Sequence, residues 1–384
     1  MMLPYGRQLI DDDDIQAVIE ALKGDFLTTG PYVAKFEEDL CASTGAKYAV
    51  ACSNGTTALH LACMAVGLKE GDCAIVPSVT FLATANAARY CGADVLFCDV
   101  DPNTGLMTPR TFQKALEEAQ QQNLNVRAVL PVHLAGRPVD LEEICDIAKA
   151  HQIKVIADAC HALGGEYNNS PIGSGVFEDL SIFSFHPVKT IATGEGGAVT
   201  TNDEAMAQRI KEIRHHNMIK TQDMLPWEYE MRDLGYNYRI TDIQCALGIS
   251  QLKKLSSFVE KRSALVALYN EILPDVSPHI DIHQRASDDE NVSWHLYSAR
   301  FDFEKLGIPR EIMMQKLREQ GIGTQVHYIP VHTQPYYTEL YGHKTLQGAD
   351  SYYRRTLSLP LYPSMELQDV RRVIDIIIHV IAGQ

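Results

Sequence analysis

The sequence predicts an α/β protein in which a large unit built on a mainly parallel seven-stranded sheet precedes a smaller α+β unit. Three observations lead there. Seven short, β-branched apolar runs recur between residues 48 and 201 with helical segments between them, the pattern of strands buried on both faces. At 384 residues the chain is long for one domain and long enough to bury a substantial core. Beyond about residue 245 the texture changes, which sets the expected domains at 1–245 and 246–384.

The strand runs are YAVACS (48–53), CAIVPS (73–78), DVLFCDV (94–100), RAVLPVHL (127–134), KVIADAC (154–160), LSIFSF (180–185) and GGAVTT (196–201). The intervening segments have helical periodicity; in YVAKFEEDLCAS, Val33, Phe36 and Leu40 fall on one stripe. The stretch 216–238 has no clean period and mixes Trp, Tyr and charge, so it reads as a long loop that works or touches a partner. A helical run from about 241 to Leu273 is the expected connection to the second unit. There, strands are expected near 293–301 and 323–329, around a helix at 309–320, with a last helix over about 365–381.

Composition narrows the function. With 34 Lys plus Arg against 49 Asp plus Glu, the formal charge of -15 argues against nucleic acid and anionic membranes as partners. Nine cysteines without CxxC or Cys/His spacing look like small hydrophobes in a reducing compartment, and no metal site is expected. The start, MMLPYGRQLIDDDD, holds no signal-peptide core and no apolar run reaches membrane-spanning length, so a soluble cytoplasmic protein is expected.

Ligands of such sheets collect at the carboxyl ends of strands, where the chemically interesting residues fall. Lys189 follows the run ending in FSFHPV and precedes Gly194, Gly196 and Gly197. An amine there can be a point charge for phosphate, a group that condenses with a carbonyl, or a lysine snorkelling to solvent. Asp158 ends KVIAD, where it is either a turn and cap residue or the partner that pyridoxal phosphate needs at its ring nitrogen, with His161 three positions on. SNGTT (53–57) opens an apolar helix and reads as ordinary capping or as a phosphate seat made of helix N–H groups and hydroxyls. Phe81, just past the next strand, is core or a ring that lies flat on a ligand.

Together SNGTTAL, PSVTFLATANA, ADACHALGG, FSFHPVKTIATGEGGAVTT and GYNYRITDIQCALG resemble the DegT/DnrJ/EryC1/StrS family of sugar aminotransferases, pyridoxal-phosphate enzymes of fold type I. The likeness runs from PYGRQLI to SLPLYPSM. FHPVKTIATGEGG, EYEMRDLGYNYRITDIQ and QVHYIPVHTQPYY are most similar to members that aminate carbon 4 of a UDP-linked 4-keto-6-deoxy-2-acetamido sugar for pseudaminic acid.

The resemblance implies that pyridoxal 5'-phosphate is held as a Schiff base on Lys189 and that Asp158 partners the pyridinium nitrogen. His161 takes the neighbouring ring-contact position, where relatives often have Gln. Thr56, Thr57 and Ser184 would hold the phosphate, and Phe81 would stack on the ring. It also implies a homodimer with shared sites, in which Asn237 of GYNYR reaches the partner's cofactor. Tyr5, Asp25, Phe26, Leu27 and Thr28 match substrate-lining segments, with Gly55 beside the phosphate seat and Ser184 also near substrate. Arg232, Arg239 and His327 are candidates for the nucleotide diphosphate, or solvated charges. L-Glutamate is the implied donor, and pyridoxamine phosphate the intermediate between two half-reactions.

Alternatives share the fold. Another nucleotide keto sugar, UDP-, TDP- or GDP-linked, would use the same residues. A sugar dehydratase of this family has histidine where Lys189 stands. A pyridoxal-binding regulator would bring a helix-turn-helix unit or basic patch, which the chain lacks. A nicotinamide enzyme would need GxGxxG after a strand, and none occurs.

Overall fold

The computed structural model describes residues 2–282 and 291–383. Its central sheet has seven strands, each at one of the seven apolar runs: β1 (Tyr48–Cys52), β2 (Asp72–Pro77), β3 (Asp94–Cys98), β4 (Asn125–Val129), β5 (Lys154–Asp158), β6 (Leu180–Ser184) and β7 (Gly197–Thr201). Their order is β1-β7-β6-β5-β4-β2-β3, and only β7 runs antiparallel to its neighbours. The expected fold class is therefore the one observed. Because the other six strands point one way, Cys52, Pro77, Asp158 and Ser184 all end at the same edge. Gly197, opposite both Cys52 and Ser184, starts β7 there.

Helices cover both faces because each presents one apolar stripe. In Pro31–Thr44 it is Phe36, Leu40 and Thr44 that are buried. Gly197 explains part of the glycine run: a Cβ there would lie 2.5 Å from the backbone of Asn54, so β7 can press against the start of the helix Gly55–Ala65 only as glycine. Gly194 serves differently, with φ at +83° in the turn before β7. At Gly197 it is the chain's own backbone, not a ligand, that takes the space a side chain would fill.

Two apolar clusters organise the chain, one around the seven-stranded sheet and one around a three-stranded sheet of Ile280–Asp281, Tyr297–Phe301 and Thr356–Leu359. The expected helical run from 241 is two helices, Asp242–Leu252 and Leu255–Val276, broken at Lys253 and Lys254. The second helix gives Leu255, Phe258 and Val259 to the first cluster and Leu265 through Leu273 to the second. The strand expected at 323–329 is not formed; only Gln325 bridges to Ser358, because this segment turns its side chains toward the cleft described below. The helices expected at 309–320 and near the C-terminus are Arg310–Glu319 and Leu367–Ala382. Residues 216–238 carry one short ladder, Met218–Ile219 with Glu230–Met231, and expose Trp227 at 72%. Among the described residues no helix is long and apolar enough to cross a membrane.

Candidate active site

A cleft of about 950 Å³ opens at the shared edge where the parallel strands end. It gathers Tyr5, Gly55, Thr56, Thr57, Phe81, Asp158, His161, Ser184, Lys189 and His327 from segments spread over the whole sequence.

Each arrives by a local cause. The helix Gly55–Ala65 starts on a capping box, with Asn54 Oδ1 accepting from Thr57 N at 2.9 Å and Asn54 N donating to Thr57 Oγ1 at 3.1 Å. Thr57 is thus engaged in capping, which leaves the N–H groups of Gly55 and Thr56 at the positive end of the helix for an anion. Ser184 closes over this point: a Cβ on Gly55 would come within 2.8 Å of Ser184 Cβ.

Asp158, 6% exposed, is clamped at both oxygens. Thr84 Oγ1 donates to Oδ2 at 2.7 Å, and Cys160 N donates to Oδ1 at 3.2 Å. The Lys189 amine lies where desolvation lowers its pKa, while the neighbouring Cys160 and Asp158 pull it back up. Phe81 is not core: it caps the helix Leu82–Tyr90 and stays 56% exposed at the cleft, 6.0 Å from the Tyr328 ring.

His161 Nδ1 accepts from Ala135 N at 3.2 Å, so its proton sits on Nε2, which faces Tyr328 Oη at 3.3 Å. Burial first, then Lys189 and His327, holds its pKa well below the ordinary imidazole range, so the ring is neutral. His295 packs 4.4 Å from His161, and its buried Nδ1 has no hydrogen-bond partner among the described residues. The C-terminal segment that brings His327 and Tyr328 is docked by Val331 N on Ser78 O at 2.8 Å and by His327 Nδ1 against Ser358 Oγ at 2.8 Å.

Seven sequence candidates do not line the cleft of the single chain; one of them, Arg239, is half-buried and donates to His215 Nδ1 at 2.9 Å. Asp25, Phe26, Leu27 and Thr28 are exposed, because Leu27 O accepts from Asp242 N at 3.0 Å and Thr28 bridges Thr241. Arg232 is exposed and paired with Glu230 at 2.8 Å, its solvated reading. Asn237 is exposed and bridges His215. Thr84, His295 and Tyr328 were missed. Tyr328 adjoins His327 in VHY, and Thr84 lies one helical turn after Phe81; either neighbour could have pointed to them.

The donor set suits pyridoxal phosphate: a helix start with hydroxyls for the phosphate, a fixed carboxylate for the ring nitrogen, an exposed aromatic for the ring face, and an amine of lowered pKa. This fold and cleft define a fold type I pyridoxal-phosphate enzyme. The chain matches the DegT/DnrJ/EryC1/StrS aminotransferase family over residues 8–378 and belongs to it.

It is 40% identical over 380 residues to the UDP-4-amino-4,6-dideoxy-N-acetyl-beta-L-altrosamine transaminase of Campylobacter jejuni strain 81-176, covering 99% of this chain and 98% of that protein. The spore coat polysaccharide biosynthesis protein SpsC of Bacillus subtilis is 38% identical over 391 residues, covering 99% of this chain and 97% of its own. Among solved structures, PseC of Helicobacter pylori, an aminotransferase involved in pseudoaminic acid biosynthesis, superposes with a TM-score of 0.92 at 29% identity over all of both chains. The Bacillus subtilis NtdA structure with bound PMP superposes with a TM-score of 0.85 at 29% identity, over 100% of this chain and 85% of that one.

Proposed function

We propose that this aminotransferase moves an amino group from L-glutamate to carbon 4 of a UDP-linked 4-keto-6-deoxy-2-acetamido sugar. The observation that carries the chemistry is the placement of Lys189 and the clamped Asp158 in one cleft, at the ends of neighbouring strands β6 and β5. The sugar assignment rests on the 40% identity to the Campylobacter transaminase over nearly the whole chain.

Bound pyridoxal phosphate supplies an electron sink for a carbanion at the donor's α-carbon. With the cofactor bound, Lys189 would be the residue that tethers it, and its Nζ would move the proton at the donor's α-carbon, a role its depressed pKa favours. Asp158 keeps a proton on the pyridine nitrogen, its carboxylate held in place by Thr84 and Cys160. Gly55, Thr56 and Ser184 hold the phosphate, with Thr57 building the seat through its capping bonds. Phe81 covers the ring face and neutral His161 lies beside it. Tyr5 and His327, with ring centroids 5.3 Å apart, line the mouth on the sugar side.

The reading includes a homodimer in which Asn237, and the segment Asp25–Thr28 anchored to Thr241 and Asp242, act in the partner's cleft. The exposed Leu225, Trp227, Tyr229, Met231 and Leu234 support such a contact. The reading keeps domains of 1–245 and 246–384, with the helix Leu255–Val276 bridging the two clusters, although Val331, Tyr337, Leu346, Ala349 and Tyr352 pack into the first cluster and Leu3 into the second.

The test is incubation with glutamate and a panel of UDP-, TDP- and GDP-4-keto-6-deoxy sugars, reading 2-oxoglutarate. Turnover of the UDP sugar, abolished in Lys189→Ala, is expected. Turnover of only a TDP or GDP sugar overturns the substrate, and full activity of Lys189→Ala overturns the mechanism.

A further inference from the structure

Beneath His327 lies a pair of hydroxyls to which the transamination chemistry assigns no part. Ser298 and Ser358 sit opposite each other on the antiparallel strands Tyr297–Phe301 and Thr356–Leu359, so their side chains stand on one face of the small sheet. Their Oγ atoms are 2.8 Å apart, and both residues are buried. Ser358 also exchanges two backbone hydrogen bonds with Gln325, its N donating at 2.8 Å and its O accepting at 3.2 Å. That pairing lays the segment before Tyr328 along the edge of the sheet. Two positions on, His327 Nδ1 meets Ser358 Oγ at 2.8 Å.

Counting protons fixes the direction of this relay. Each hydroxyl has one proton to give, and a neutral imidazole carries one on either nitrogen. Neither Ser298 Oγ nor Ser358 Oγ has a further hydrogen-bond partner among the described residues. If Nδ1 held the ring proton and donated to Ser358, one hydroxyl proton would be left in the core without an acceptor, a cost that buried polar groups avoid. In the other direction every proton is used: Ser298 donates to Ser358, and Ser358 donates to Nδ1. The ring proton then sits on Nε2. Since Nδ1 is spent on the sheet, Nε2 is the nitrogen left for the cleft that His327 lines.

The ring is also neutral. Its Nδ1 bonds a hydroxyl rather than a carboxylate, and burial, then the Lys189 amine, lowers its pKa to about 3. The other titratable groups against it are two phenols, Tyr5 at 5.3 Å and Tyr328 at 4.8 Å between ring centroids. Neither phenol supplies a negative charge that would hold an imidazolium.

We propose that Ser358, backed by Ser298, is a positioning residue that holds His327 as the neutral tautomer protonated on Nε2, and that this N–H donates to an acceptor oxygen of the nucleotide sugar. The proposal rests on the sugar-aminotransferase reading above and sharpens it. His327, a sequence candidate for the diphosphate, contributes direction rather than charge. Because the contact belongs to the sugar, it acts in the half-reaction that consumes the sugar and not in the one that consumes glutamate.

The tautomer can be read directly in the substrate-free enzyme. Among the 14 histidines, His327 is assigned in a long-range proton–nitrogen NMR spectrum of enzyme labelled with 15N-histidine, by its loss in His327→Gln. A protonated Nε2 and a bare Nδ1 are expected, unchanged between about pH 8 and about pH 5.5, across the ordinary histidine range. A proton on Nδ1, or a ring that gains charge in that range, overturns the proposal whatever the substrate proves to be. Kinetics supply the second arm. Ser358→Ala should raise KM for the UDP keto sugar about tenfold, while the rate at which glutamate bleaches the cofactor's visible absorbance stays within about twofold. An unchanged sugar KM in Ser358→Ala, or equal slowing of both half-reactions, overturns the positioning role. A wrong substrate assignment shows separately, as no turnover of that sugar by the unaltered enzyme.

Discussion

Thr84 Oγ1 donates a 2.7 Å hydrogen bond to Asp158 Oδ2, joining the helix after β2 to the end of β5 across 74 positions of sequence. Thr80 lies 2.8 Å from the same hydroxyl and continues the chain of bonds. The Asp158 carboxylate, proposed to face the cofactor nitrogen, is therefore oriented by its neighbours. Thr84→Val removes the donor to a buried oxygen and is expected to cost about 1–3 kcal/mol, some tenfold or more in cofactor affinity. Spectral titration of the apoenzyme with pyridoxal phosphate measures this. Thr84→Ser should bind near normally, and undiminished binding by Thr84→Val would show that the bond does not matter.

His161 accepts at Nδ1 from Ala135 N and donates at Nε2 toward Tyr328 Oη. His161→Gln should retain activity within about tenfold, since the amide can also accept and donate. His161→Leu leaves the buried Ala135 N–H unpaired and should lower stability by about 1–3 kcal/mol, read as a fall in Tm. Equal Tm for the Gln and Leu variants would refute the assigned bonds.

Stability should fall on acidification through a defined window. Burial lowers His133 to about 4, while an unfolded histidine titrates near 6.5. Between those values the unfolded chain binds the extra proton, so folding stability drops as pH falls from about 6.5 to 4 and levels off below. The slope from this one group is about 1.4 kcal/mol per pH unit inside the window. Urea midpoints at pH 7.5, 5.5 and 4.5 test it, and His133→Gln should flatten the curve. Buried His327, pushed down to about 3 by desolvation and then by Lys189, adds a slope of the same sign.

The proposed homodimer with shared sites can be tested by mixing. Lys189→Ala and Asn237→Ala homodimers should each be nearly inactive. Unfolding and refolding them together should restore about a quarter of the unaltered activity, because half the dimers are mixed and each has one intact site. No recovery, with mixed dimers shown to form, would place Asn237 outside the partner's cleft.

The seven strands are legible in the sequence because each is a nearly continuous apolar run, and Lys189 and Asp158 are legible because they end such runs. What stays hidden depends on distant partners. Tyr328 earns its place through His161, 167 positions away, and Val326 to Ile329 read as a strand although their neighbours are cleft side chains rather than a second ladder. Asp25 to Thr28 lie outside the cleft of the single chain for the same reason: their anchor is Thr241 and Asp242, and composition cannot announce a tether of that length.

The helix Leu255–Val276, rooted in both apolar clusters with no glycine along its 22 residues, makes the two halves thermodynamic hostages of each other. Unravelling either half strips the packing from part of a rod whose turns form cooperatively, and the loss travels to the other end. Calorimetry should therefore record one melting endotherm rather than two.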